Sequence, residues 1–234
     1  MGSSVIKANE MFKDCKSLIS VDLCQFNGKE VNNMNNIFAN CVKLENISFP
    51  KINTNKLFNI SYIFYNCESL VSLDLSNFNM TNLKDMSYMF YNNKKLIYIN
   101  FGQEKHDTNE NKTMKSMFEG CSSLKNLSLI NFNTENVVDM SQMFKGCNEI
   151  ISLDLSNLNT ENVLYMNEMF ADVIKLRKLD LSSFDTRKLI SYNNIWKNIT
   201  ELNIIINVDK NEKFLDNIPE GINITDINET ILFR

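Results

Sequence analysis

Residues 137–160 read VVDMSQMFKGCNEIISLDLSNLNT, and residues 163–186 read VLYMNEMFADVIKLRKLDLSSFDT. Laid over one another, they match Val137 to Val163, Met140 to Met166, Met143 to Met169, Phe144 to Phe170, Ile150 to Leu176, Leu153 to Leu179 and Leu155 to Leu181. The aromatic of this grid recurs along the whole chain, at Phe12, Phe38, Phe64, Phe90, Phe118, Phe144, Phe170 and Trp196, in steps of 26, 26, 26, 28, 26, 26 and 26. A fixed period of this length marks a repeat architecture, in which no single unit buries its apolar face and each must stack on its neighbours.

The two halves of the module have different periods. Val137, Met140, Met143 and Phe144 are spaced i, i+3, i+6, i+7, which predicts one face of a short helix. Leu153 and Leu155 alternate with Ser152, Asp154 and Ser156, the two-residue period of a half-buried strand. Two residues after each aromatic stands Asp14, Asn40, Asn66, Asn92, Gly120, Gly146, Asp172 or Asn198, types that tolerate the left-handed backbone ending a helix. Thr134, Thr160 and Thr186 stand where N-caps are expected, with Glu135 and Glu161 in the following turn. The reading is an α/β solenoid of about eight strand-helix turns forming a single domain over residues 1–234. Wider helices on one side would curve the stack, placing the parallel sheet on the concave face and the helices on the convex face.

The segments LVSLDLSNF (70–78) and IISLDLSNL (150–158) resemble the core of leucine-rich repeats. Together with the M-S-x-M-F-x-x-C signature and the 26-residue period, the chain resembles the bacterial surface protein repeat, the BspA-like leucine-rich repeat family, over roughly residues 5–206. The resemblance implies a display scaffold, at the cell surface or secreted, that meets protein or glycan ligands such as host surface molecules.

The array is interrupted at the fourth-to-fifth step. Two extra residues fall within the polar stretch 102–113, which predicts an excursion projecting from the stack. Residues 207–234 leave the pattern and are expected to cap the C-terminal end. The N-terminal turn has no predicted cap and offers an edge for end-to-end self-association.

Composition excludes several classes. Of 234 residues, 44% are hydrophobic and only 6 are Gly and 2 Pro, which rules out a disordered or linker-like chain. A net charge of −4 supplies no positive field for nucleic acid. No apolar run approaches the roughly 18 residues of a membrane helix, so membrane insertion is not expected. The N-terminus carries no secretory signal pattern.

Little chemistry is on offer. Cys15, Cys41, Cys67, Cys121 and Cys147 share one module position with Asn93, Val173 and Ile199, the pattern of a packing slot; zinc would need close Cys pairs. Cys24 lies outside that ladder, at a surface position. The methionines at 86, 89, 114, 117, 140, 143, 166 and 169 fall on the sheet-facing side, where core is favoured over a binding groove. His106, the one histidine, is expected to be a solvated loop residue beside Glu104 and Asp107. No cofactor, metal or catalytic residues are expected, and an enzyme with a site near His106 is the weakest class.

The outward strand positions form a polar face with acidic points at Asp22, Asp74, Asp154 and Asp180. Asp154 and Asp180 fall on adjacent turns, where their repulsion invites a basic partner or a cation. The expected function is non-catalytic recognition or adhesion through the concave face, with partner contacts at Asp74, Tyr98, Asn100, Asp154, Lys178 and Asp180. The alternative is an intracellular scaffold or self-assembling subunit, favoured by the free cysteines.

Overall fold

A computed structural model describes residues 7–26, 28–49, 54–103, 106, 108–216 and 218–228. The chain winds as a parallel β-solenoid. Lys7, Asn33, Asn59, Asp85, Thr113, Asp139, Tyr165 and Ser191 form one column of parallel bridges, with seven turns between its ends. On the other side run the strands. β1 (Ser20–Asp22) pairs with β2 (Asn46–Ser48), and β3 (Ser72–Asp74) with β4 (Tyr98–Asn100). β5 (Ser152–Asp154), β6 (Lys178–Leu181), β7 (Leu202–Ile206) and β8 (Ile222–Asp226) make a four-stranded parallel sheet in that order.

The expected helices are not there. Among the described residues, helical structure is confined to a single 3₁₀ turn at Val208–Lys210, α1 (Glu212–Leu215) and residues 227–228, all outside the repeats. The M-x-x-M-F-x-x-C half of the module is instead a run of tandem turns. In the second coil, Ile37 N, Ala39 N and Cys41 N donate three residues back, to Met34 O, Asn36 O and Phe38 O. The intervening amides of Met34, Asn36, Phe38 and Asn40 donate to Asn59 O, Ser61 O, Ile63 O and Tyr65 O of the next coil, at 3.0, 3.1, 3.0 and 2.7 Å.

The backbone explains why. Each coil holds two left-handed residues four positions apart, such as Asn36 and Asn40 (φ 57° and 64°) or Gln142 and Gly146 (φ 60° and 72°). A left-handed residue suits the third position of a type II turn and breaks the continuous ladder of an α-helix. Tandem turns also return side chains to one side every three to four residues, so their apolar spacing mimics a helix. The second left-handed residue was anticipated as a helix terminator, whereas the first, two residues before the aromatic, was not. Thr134 and Thr160 are likewise no N-caps: their hydroxyls donate across to Asn159 O (2.8 Å) and Asp185 O (3.1 Å) of the following coil.

Spacing favours this arrangement. Strands repeat at about 4.8 Å, whereas a helix with its side chains is about 10 Å wide. With hydrogen-bonded backbone on both sides, no wide layer is present among the described residues to impose the predicted curvature, and the sheet forms a strand face opposite the turns.

The core is one column of rings. Phe12, Phe38, Phe64, Phe90, Phe118, Phe144, Phe170 and Trp196 stack with centroid separations of 5.4 to 5.8 Å and interplanar angles of 2° to 14°. The methionines of the grid are buried around it. Each buried Phe contributes roughly 1.5–3 kcal/mol by leaving water. The thiols of Cys41, Cys67, Cys121 and Cys147 donate to the carbonyls of Phe12, Phe38, Phe90 and Phe118 in the preceding coil, at 3.0 to 3.2 Å.

Two buried asparagines depart from this pattern. Asn93 occupies the cysteine slot and Asn111 the Val137 slot; both are fully buried, and neither amide finds a partner. Residues 207–216 and 218–226 add to the stack: Lys210 O accepts from Thr186 N at 3.0 Å, and β8 supplies a further rung beside β7. Phe214 meets Trp196 edge-on at 4.9 Å, and the indole Nε1 donates to Phe214 O.

Phe118→Ala, at the middle of the column, is expected to cost about 3–5 kcal/mol in urea unfolding. Phe12→Ala, at the half-buried end, should cost less than half as much. Asn93→Cys restores the thiol donor toward Phe64 O and should raise stability by about 1 kcal/mol.

Candidate functional site

Among the described residues strand pairing lapses twice, between β2 and β3 and between β4 and β5, and a groove opens at the second lapse. Residues 126–128 occupy the rung between β4 and β5 but make only the bridge Tyr98–Asn126, and the four-stranded sheet begins at β5. The parting lies beside the turn that carries the two extra residues. It opens a groove of about 330 Å³, walled by Tyr98, Asn100, Gln103, Asn126, Ser128, Ile130 and Asp154, with Phe101, Leu127 and Phe132 among the residues beneath. Tyr98 is 50% and Ile130 70% exposed, the latter a large apolar side chain held out over a polar lining. Gly102 fixes one corner in the left-handed region (φ 84°), where a Cβ would stand 3.2 Å from the backbone of Ser76.

Of the six anticipated contact residues, the structure brings Tyr98, Asn100 and Asp154 together in this groove. Asp74 adjoins it, accepting from Asn100 Nδ2 at 3.1 Å. Lys178 and Asp180 lie one rung further on, in register with Ser152 and Asp154, and do not line it.

The acidic points serve the backbone. Asp22, Asp74, Asp154 and Asp180 each accept from the amide two residues on, at Cys24, Ser76, Ser156 and Ser182, closing the turn after the strand. Hydrogen bonds from Ser76 hold the Asp74 carboxyl below its ordinary range, and those from Ser156 do the same for Asp154. The neighbouring carboxylates of Asp154 and Asp180 thus each hold a backbone amide of their own coil.

His106 is not a solvated residue. It is buried in the module slot held by Phe132 and Phe184, bridged to Phe132, with Nε2 2.8 Å from Phe101 O and its amide donating to Asn131 O at 2.7 Å. The predicted excursion is drawn into the stack at His106 and Thr108, while Glu104 and Asp107 lie outside the described residues. Among the described residues, no three His, Cys, Asp or Glu converge as a metal site.

The turn face carries a feature that the sequence reading passed over. Tyr62 stacks on Tyr88 at 4.6 Å, Tyr65 on Tyr91 at 4.8 Å, and the two half-buried pairs lean together at 5.5 and 5.8 Å. Tyr62 and Tyr88 hold φ of 57° and 56°, a conformation costly for a bulky side chain. The signal was present as Y-x-F-Y's two near-copies, YIFY at 62–65 and YMFY at 88–91, at positions that other coils fill with Asn, Ser, Gln, Ala, Glu or Lys. Below the tyrosines the same columns turn ionic: Lys145 contacts Glu168 at 2.7 Å and Glu119 at 3.9 Å. Burial raises the Glu119 carboxyl, while Lys145 and Gln142 lower that of Glu168.

Two overlapping stretches, residues 6–128 and 97–209, match the family described as Mycoplasma protein of unknown function, DUF285. The chain belongs to that family. The two matches overlap across the coil in which the DUF285 period lengthens and the strand face parts. A comparison with curated proteins finds no match.

The DUF285 cysteine ladder also sets a response to alkali. Burial pushes the Cys41 thiol up to about 11 and that of Cys121 to about 12, and raises Cys67 and Cys147 as well. These thiols stay protonated in the fold but ionise once unfolded, so stability is full below about pH 9 and falls as pH rises toward 11–12. Urea midpoints measured from pH 8 to 11 should show this fall, and Cys121→Val, the type standing at 173, should flatten it. Cys15 and Cys24 are exposed, so a native thiol assay should find these two reactive and the four buried ladder thiols masked.

Proposed function

We propose that the chain is a non-catalytic recognition module that binds an external ligand through the groove on its strand face. The supporting observation is the lining: one half-exposed aromatic ring and one exposed aliphatic side chain, set among amides, hydroxyls and a carboxylate on a rigid parallel stack. Amphipathic aromatics with amide, hydroxyl and carboxylate neighbours suit hydroxyl-rich ligands, which favours a glycan over a protein surface. The resemblance to BspA-like surface repeats supports the same reading. Tyr98, Asn100 and Asp154 would make the central contacts, with Asp74 orienting Asn100 and Lys178 and Asp180 at the margin.

A self-assembling scaffold is the second reading. The free cysteines favour it, since unpaired thiols suit a reducing compartment.

Glycan-array binding of the wild-type chain and of Tyr98→Ala/Ile130→Ser distinguishes the readings. The wild type should retain a defined set of glycans, and the variant should lose about tenfold or more in affinity with little change in stability. Absence of binding by the wild type, together with concentration-dependent sedimentation, would favour the scaffold.

A further inference from the structure

The two sides of the solenoid end differently at the C-terminus. On the strand side, β8 occupies the rung beyond β7. Among the described residues, the ladder on the turn side ends at residues 191–199. Every earlier coil passes amides forward from this segment; in the seventh, Met166 N, Glu168 N and Asp172 N donate to Ser191 O, Asn193 O and Lys197 O at 2.8 to 2.9 Å. The equivalent amides of the eighth coil, at Tyr192, Asn194, Trp196 and Asn198, donate to nothing among the described residues. They line a notch of about 500 Å³, closed on its far side by Lys213, Phe214 and Pro219.

We propose that this notch binds a short acidic peptide segment from another polypeptide, laid down as one further turn of the coil. The internal interfaces define what completes such an edge: alternate backbone carbonyls, displayed by a chain with left-handed residues four positions apart. Asn194 and Asn198 hold the matching conformation, with φ of 57° and 64°. Lys197 and Lys213 are the charged residues of the lining, so it is positive in a chain of net charge −4. Docking of a whole second copy in register is excluded, because its β1 would fall where β8 already stands. The occupant is therefore a segment of roughly six to eight residues, added on the turn side alone, a variant of strand addition to an open edge.

Trp196 lines the notch and is the one tryptophan of the chain, so its fluorescence reports occupancy. The probe is the acetylated, amidated peptide of residues 8–14, Ala8 to Asp14, whose own coil carries left-handed Glu10 and Asp14. Titration into the full chain should give a saturable shift of Trp196 emission, weakened about fivefold or more by Lys197→Glu, a surface change that spares the core. A scrambled peptide of identical charge should produce no saturable shift. Equal binding of the scrambled peptide would overturn the register argument, and no saturation by the probe up to several millimolar would overturn the site.

Discussion

The structure depends on a single alternation in the backbone. Within each coil, one amide turns back three residues and the next reaches forward to the following coil, a pattern set by two left-handed residues four positions apart. Asparagine, aspartate and glycine supply most of these positions at little cost, which gives the abundant asparagine a structural use. Once the backbone of both sides is bonded from coil to coil, the rise is fixed near 4.8 Å, and flat rings can stack through all eight rungs. Wide helices on one side would have separated those rings.

From that constraint the surfaces follow. Parallel stacking presents columns of identical module positions, so a change in one or two coils creates a local patch on a uniform background. The strand face parts where the period lengthens, and Tyr98 and Ile130 frame the opening. The turn face gains its tyrosine quartet in two adjacent coils, and two of its members, Tyr62 and Tyr88, stand at left-handed positions where tyrosine is strained. Strain of this kind is retained where surrounding packing over-determines it, and it concentrates at functional surfaces.

Much of the architecture was legible. The period, the ring column, the strand positions and the burial of Cys41, Cys67, Cys121 and Cys147 follow from the aligned residues, whereas Cys15, in the same slot of the first coil, is exposed. The helix was a false reading with a physical cause: apolar spacing of i, i+3, i+7 is shared by α-helices and tandem turns, and only the preferred backbone of residues such as Asn36 separates the two. His106 misled because polarity stood for exposure; the register places it opposite Phe132, inside the stack. Of the site, Tyr98, Asn100 and Asp154 were recognisable as outward strand positions, but the parting of the sheet that joins them was not. Lys178 and Asp180 share the face without sharing the groove.

Deletion of one complete coil, residues 138–163, tests the account most directly, since it joins Val137 to Leu164 in register and removes 26 residues. Stack energetics of nearest neighbours predict a folded chain with a cooperative urea transition whose slope falls by roughly one-ninth, in proportion to the chain removed. An unfolded product, or a folded one with an unchanged slope, would contradict a solenoid held together by identical coil-to-coil contacts.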